Sequence, residues 1–389
     1  MWRRRLWWVR GLWRLNSLLQ KRFWSMCIKE VSGDSGRQYQ PRSLLLQWHV
    51  TERCNLRCAH CYQDSNGCDE LSYDELLQIL HQFRELLKAW RGRTPDRRVG
   101  GHITLTGGEP FVRYDFVELL EELYRRQKEF SYAILTNGTL IDDSLARWLG
   151  KHKPAFVQVS IEGDRATHDR IRGAGSYDAA DDALRRLRRR GVRTLISFTA
   201  HRQNYREFPA VAQLGREIGV SRVWADRLIP TGAGVALREQ MLTPSELQEF
   251  LRIMRAEQSV PQRRWRKGTE IAMRRALQFL VAGGRPYHCT AGDSLLTVQP
   301  NGDLYPCRRM PVRIGNLLEQ PLSELYYGSE LLRNLRDRTR VSHGCESCIF
   351  RRDCRGGLKC LSHAVYADPF VADPGCWRAS VTARTSVAD

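Results

Sequence analysis

Three cysteines, Cys54, Cys58 and Cys61, fall within eight residues directly behind the apolar run Leu44 to Val50. In Thr51-Glu52-Arg53-Cys54-Asn55-Leu56-Arg57-Cys58-Ala59-His60-Cys61-Tyr62 the spacing is three residues and then two, so one loop can wrap all three thiolates round a common metal centre. Three thiolates hold three irons of a cubane and leave the fourth without a protein ligand, as a cluster that binds a further molecule requires. A structural zinc site would want four closed ligands. His60 is the local candidate for a fourth, but it sits between two ligands and its side chain is expected to point away.

The chain has twelve cysteines in 389 residues and no pattern of a cleavable secretory signal, so metal ligation is a better reading than disulfides. Seven of them, Cys289, Cys307, Cys345, Cys348, Cys354, Cys360 and Cys376, cluster late in the sequence, and only Cys27 and Cys68 are left over. Two metal regions are implied. No apolar stretch approaches the roughly 18 residues that a spanning helix needs, and a cytoplasmic location is the default expectation. The formal charge of +19 suggests an anionic partner but does not separate nucleic acid, membrane surface and acidic peptide. Thiolates on iron–sulfur clusters would lower that balance by roughly four to six units.

Residues 1–42 stand apart. Trp2, Trp7, Trp8, Trp13 and Trp24 interleave with arginines and lysines before the first acid at Glu30. Such a segment suits an anionic membrane surface or an acidic partner; a plain extension, or a start at Met26, accounts for it as well. From Leu44 the pattern alternates. Strands are expected at Leu44 to Val50, Ile103 to Thr106, Tyr132 to Leu135, Phe156 to Ile161, Thr194 to Phe198 and Arg222 to Leu228, each followed by a helical pattern. Ser72 and Glu75 form a capping-box signature for a helix over 72–91. The expected fold class is α/β: a parallel sheet closed or partly closed into a (β/α)6 barrel of the TIM type, with active-site residues in loops after the strands.

The cysteine triplet in this position resembles the radical S-adenosylmethionine (radical SAM) superfamily, and the resemblance spans residues 43 to 377. It implies that the open iron of a 4Fe-4S cluster chelates the methionine part of S-adenosylmethionine (SAM), whose reductive cleavage gives a 5'-deoxyadenosyl radical that abstracts hydrogen from a substrate. Thr106-Gly107-Gly108-Glu109-Pro110 after the second strand matches the family's GGE motif, in which Gly107, Gly108 and Glu109 would bind the SAM ammonium. By itself Gly-Gly-Glu-Pro is an ordinary turn; the glycines are expected where backbone approaches a ligand closely. Asn137, Ser160 and one arginine of Asp169-Arg170-Ile171-Arg172-Gly173, taken as Arg172, complete the expected cofactor pocket, with Arg227 a further candidate.

The late cysteines are similar to the SPASM extension, a small cysteine-rich domain with two auxiliary 4Fe-4S clusters. By that resemblance Cys345, Cys348, Cys354 and Cys376 hold one cluster and Cys289, Cys307 and Cys360 the other. The stretch Cys345-x2-Cys348-x5-Cys354 alone would equally suit a zinc ribbon. Pro300-Asn301-Gly302 between Leu295 to Gln299 and Asp303 to Tyr305 signals a hairpin. Two departures matter. The family usually places three residues after the cysteine matched by Cys354, whereas Cys360 follows after five. Sulfatase maturases carry a catalytic aspartate straight after the cysteine matched by Cys307, where this chain has Arg308 and Arg309, which disfavours that reaction. Seven ligands for two cubanes leave one iron open, with Tyr287 or His288 as local substitutes, and an open iron near the barrel mouth would suit a substrate thiol.

The expected organisation is an extension over 1–42, a radical SAM core over 43–235, a helical linker over 236–285 and the auxiliary-cluster domain over 286–380. The expected activity is modification of a peptide or protein, by crosslinking, epimerisation or a related change, with assembly of a haem- or quinone-type cofactor as the alternative. Lone Cys68 is expected to be packing, or else a hydrogen-atom donor for epimerisation. Expected partners are the peptide substrate, an electron donor such as flavodoxin or ferredoxin, and a separate leader-binding protein; no nucleic-acid partner is expected.

Overall fold

The first strand, β1 (Ser43–His49), is followed by six parallel strands that widen one sheet in chain order: β2 (Gly100–Thr106), β3 (Ser131–Thr136), β4 (Val157–Ser160), β5 (Thr194–Ala200), β6 (Arg222–Arg227) and β7 (Glu270–Ala272). This computed structural model describes residues 39–63, 69–94, 99–262 and 268–379. Cys27, Cys68 and nearly all of the basic, tryptophan-rich segment lie outside them. Leu44, Leu46 and Trp48 of β1 and Ile103 and Leu105 of β2 are buried, and so are Val157 and Val159 of β4. Near-continuous apolar strands of this kind belong to a parallel sheet covered on its faces by crossover helices.

The helices form as the sequence predicts. Ser72 Oγ accepts the Glu75 N–H while the Glu75 carboxylate accepts the Ser72 N–H, and the helix Tyr73–Arg93 follows. Its buried stripe, Leu76, Ile79, Leu80, Phe83, Leu86, Leu87 and Trp90, keeps the period of a helix face set on a sheet. A second capping box, Thr243 with Glu246, starts Pro244–Ser259. Residues 236–285, expected as helical linker, also hold β7, which extends the six expected parallel strands to seven. Three residues are too short a run to announce a strand by period.

The expected hairpin forms as β8 (Leu295–Val298) and β9 (Asp303–Tyr305), and it joins the main sheet: β8 pairs in parallel with β1, from Leu45–Leu295 to Trp48–Val298. With β10 (Gly315–Asn316), the sheet counts ten strands in the order β10-β9-β8-β1-β2-β3-β4-β5-β6-β7. The hairpin and β6 stand far apart in that order. Two ion pairs nevertheless link them or their surroundings: Arg309 with Asp226 at 2.6 Å and Arg227 with Asp373 at 2.5 to 2.7 Å. The sheet therefore curls, and side-chain ion pairs rather than a strand ladder bridge its open side. Among the described residues no helix is long and apolar enough to cross a membrane.

Candidate cluster and cofactor site

The loop after β1 carries Cys54, Cys58 and Cys61 as half-buried thiols outside any disulfide. Backbone bonds anchor it to the loop after β2: Gly108 N–H to Thr51 O and Glu109 N–H to Arg53 O, each 2.9 Å. A Cβ on Gly107, whose φ is +146°, would stand 2.3 Å from Thr51 O, and one on Gly108 would stand 2.2 Å from Arg53 O. The two glycines thus also make room for the cysteine loop itself, whose carbonyl oxygens stand where a side chain would.

A cavity of about 350 Å³ opens beside this loop, and Cys54, Cys58, Cys61, Gly107, Gly108, Asn137, Ser160 and Arg172 all line it. The strand ends thus bring together eight residues read from separate motifs. Ser160 Oγ lies 3.2 Å from Ser197 Oγ. Asn137 Nδ2 bonds Asn55 Oδ1 at 2.9 Å and reaches Cys54 Sγ at 3.9 Å. Arg172 Nη1 donates to Cys58 Sγ at 3.6 Å. Of the two arginines in the Asp169 to Gly173 stretch, Arg172 enters the site, while Arg170 turns to Thr167 Oγ1 at 3.1 Å.

Glu109 does not line the cavity. It is fully buried, and its oxygens accept from Thr136 Oγ1 at 2.9 Å, Asn137 N at 2.8 Å and Phe111 N at 3.2 Å. Burial pushes its carboxyl up to about 7 against those hydrogen bonds. Three donors leave about one of its four lone-pair positions free.

Glu162, just past β4, was not singled out from the sequence. It is buried and gathers Arg172 at 2.6 Å, His60 Nε2 at 3.4 Å and the Thr199 N–H at 2.7 Å. Burial would raise its carboxyl, but the charges of Arg172 and His60 outweigh that and hold it well below the usual range. His60 thus faces a carboxylate instead of completing a zinc set. The available signal was its place after a strand end, two residues beyond Ser160.

The late cysteines separate into two places. A pocket of about 20 Å³ is lined by Cys345, Cys348, Cys354 and Cys376. Burial pushes the Cys345 thiol up to about 12 and the Cys354 thiol up to about 11, with the neighbouring thiols adding to the effect. Cys360, in the first turn of the helix Lys359–Tyr366, is buried and interacts with Cys307 and Cys289. Tyr287 interacts with Cys289, whereas His288 has Arg355, Asp293, Arg338 and Asp353 as its charged neighbours. Arg308 and Arg309, directly after Cys307, line the same cavity as Cys54, Cys58 and Cys61, so Cys307 stands beside that cavity.

Donor chemistry and cradle fit an iron–sulfur cluster and its cofactor: three thiols on one loop, N–H donors at Cys54 and Cys58, and a cavity alongside. Among the described residues no three His, Cys, Asp or Glu side chains converge on a single metal ion, so neither zinc alternative has its tetrahedral set.

The sequence matches the model of the Radical SAM superfamily over residues 48–215 and that of the SPASM iron–sulfur cluster-binding domain over 289–354. The chain is a radical SAM enzyme with a SPASM domain. Its cofactors are accordingly SAM, the 4Fe-4S cluster that binds it and the auxiliary clusters of the SPASM domain. The SPASM match holds five of the seven late cysteines and stops before Cys360 and Cys376. The AdoMet-dependent heme synthase of Methanosarcina barkeri is 26% identical, over 85% of this chain and 95% of that protein. Mycofactocin maturase MftC of Mycolicibacterium smegmatis is 29% identical, over 81% of this chain and 77% of its own. The solved structure of native anSMEcpe with bound AdoMet shares the fold, with a TM-score of 0.68 at 20% identity over 86% of this chain and 94% of that one.

Proposed function

We propose that this enzyme takes hydrogen from a peptide or protein substrate and thereby installs a post-translational modification. The observation that carries this reading is the single cavity shared by the Cys54, Cys58 and Cys61 loop and by Arg308 and Arg309 beside Cys307. At about 350 Å³ it is near the lower end of pockets that hold one small molecule.

When bound, the cluster and SAM together supply a one-electron cleavage that leaves a radical able to abstract hydrogen. The chain's own residues do the rest. Gly107 and Gly108 present backbone to the cofactor, and Glu109 stands behind them with its remaining lone pair for the ammonium. Asn137 and Arg172 donate to the sulfurs of Cys54 and Cys58, while Glu162 fixes Arg172 in place. Leu135, Phe198 and Trp224 give the cavity an apolar wall that keeps water from a reactive centre.

Support for a peptide substrate comes from the likeness to mycofactocin maturase and to the PqqA peptide cyclase of Granulibacter bethesdensis, 26% identical over 86% of this chain. A second reading, a tetrapyrrole substrate, is favoured by the likeness to heme synthase and to the pre-heme d1 synthase of Dinoroseobacter shibae, 27% identical. In either case a cytoplasmic electron donor such as flavodoxin or ferredoxin provides the electron, and a separate leader-binding protein would serve the peptide reading. The test is anaerobic reconstitution with iron and sulfide, then reduction with SAM present. Deoxyadenosine is expected, and its yield should rise with deuterium transfer from a labelled peptide rather than from a labelled porphyrin. No deoxyadenosine overturns the reading; transfer from the porphyrin alone selects the second.

A further inference from the structure

Among the described residues that line the cavity, Arg57 is spent on the backbone oxygens of Cys54 and Leu56, whereas Arg308 has no carboxylate partner. Arg308 follows Cys307, lies over the Tyr62 ring at 5.4 Å from its centroid, and lines the same cavity as the three cluster cysteines. Its neighbours are already committed. Arg309 Nη1 sits 2.6 Å from Asp226 Oδ2. Arg275 lies 3.9 Å from the same carboxylate and over the Trp224 ring at 4.5 Å. Two guanidinium groups thus share one carboxylate, and among the described residues Arg308 makes no ion pair of its own.

A half-enclosed charge with no counterion is costly, and a guanidinium beside an aromatic face is a ready receptor for a planar carboxylate. Cys307 is an anion-forming neighbour, yet the group that couples to both Cys307 and Cys360 is Arg309. Arg308 remains for the cavity. The SAM-side residues Gly107, Gly108, Asn137 and Ser160 come from the ends of β2 to β4, whereas Arg308, Trp224 and Asp226 come from the hairpin and β6.

We infer that Arg308 is a substrate-binding residue that recognises a carboxylate, so that the substrate class of this enzyme is one presenting a free carboxylate to the cavity. This rests on the proposed function, since it places the substrate in the cavity next to SAM. The shared chemistry has two sources, a peptide carboxylate and a tetrapyrrole propionate.

The experiment is equilibrium binding to the cluster-loaded enzyme, with SAM present and no reductant, so that it is read without turnover. Two pairs of probes are used: N-acetylphenylalanine against its amide, and coproporphyrin III against its tetramethyl ester. The wild type should prefer the acid of one pair by about tenfold or more, Arg308→Gln should abolish that preference, and Arg308→Lys should keep part of it. The pair that shows the preference names the source. No preference in the wild type, including no binding of either member, overturns the inference. So does a preference that survives Arg308→Gln, or a variant whose effect falls on SAM affinity or on the paramagnetic resonance of the reduced auxiliary clusters. Failure of the proposed function itself reads differently, as a wild-type enzyme that produces no deoxyadenosine.

Discussion

The radical-cluster loop takes its three cysteines from eight consecutive residues, whereas the auxiliary region collects seven from separate segments between Cys289 and Cys376. Their surroundings differ in the same sense. Cys54 and Cys58 are half-buried and have N–H donors of Asn137 and Arg172 at their sulfurs, and burial pushes the Cys54 thiol up. Cys345, Cys354 and Cys360 are buried, and their thiols are pushed above the ordinary range. Metal binding there must expel protons from a dry pocket. The first site opens on a cavity of about 350 Å³; the second is closed, with a pocket of about 20 Å³.

The strongest way to break that contrast is to remove the first site alone. Replacing Cys54, Cys58 and Cys61 by Ala should abolish deoxyadenosine formation and remove about a third of roughly twelve irons, leaving the auxiliary clusters loaded. Iron analysis beside a SAM-cleavage assay reads both. Loss of all iron would show that the two regions load as one unit.

The next largest effect falls on the pair that ties them. Arg227 and Asp373 are buried, and Asp373 also accepts the Leu358 and Gly375 N–H groups. Arg227→Met leaves that carboxylate uncompensated and should cost about 3–5 kcal/mol, whereas adding Asp373→Leu should return part of the loss. Thermal unfolding of the cluster-loaded protein compares the single and double variants; equal destabilisation by both would show that the pair does not couple.

A third change sharpens the difference at the sulfurs. Arg172→Gln removes the donor to Cys58 and the principal partner of Glu162, and SAM cleavage should slow by about 10–100-fold, with partial rescue by Lys. The resonance of the auxiliary clusters should not move, because Arg172 contacts none of their cysteines.

The contrast also explains what could be read from sequence. A loop of eight residues is local, so Cys54, Cys58 and Cys61 were legible by spacing, and Gly107, Gly108, Asn137, Ser160 and Arg172 by their place after strands. Six of the first seven strands showed in the apolar pattern, and the hairpin showed in Pro300-Asn301-Gly302. What stayed hidden is what only tertiary contact creates. Glu162 has no motif of its own and gains its meaning from Arg172, ten positions on, and from His60, a hundred back. Pairing of β8 with β1, and of Arg309 with Asp226, joins residues about 250 and 83 apart in sequence, beyond any local period. The close fit of the glycine pair to Thr51 and Arg53 is likewise a tertiary contact that no local pattern announces.

The smallest effect tests Glu109, which separates the two regions by pH. Its carboxyl is pushed up from 4.5 to about 7 by burial, so the neutral form is favoured by folding. The associated stability is fully present below 4.5 and is lost as pH rises toward 7. A cationic ammonium beside the carboxylate prefers the ionised form and shifts the balance the other way. SAM affinity should therefore climb as pH rises, by about eightfold between pH 6 and 7.5, a window in which the α-amino group of SAM stays largely protonated. The thiols of Cys345 and Cys354, near 12 and 11, do not titrate there, so the auxiliary region contributes nothing to the slope. Glu109→Gln should flatten the profile and weaken binding throughout, since an amide N–H₂ would face the Thr136 and Asn137 donors. A wild-type profile that is already flat would mean that the Glu109 oxygens serve Thr136, Asn137 and Phe111 alone, and that the ammonium is held by backbone.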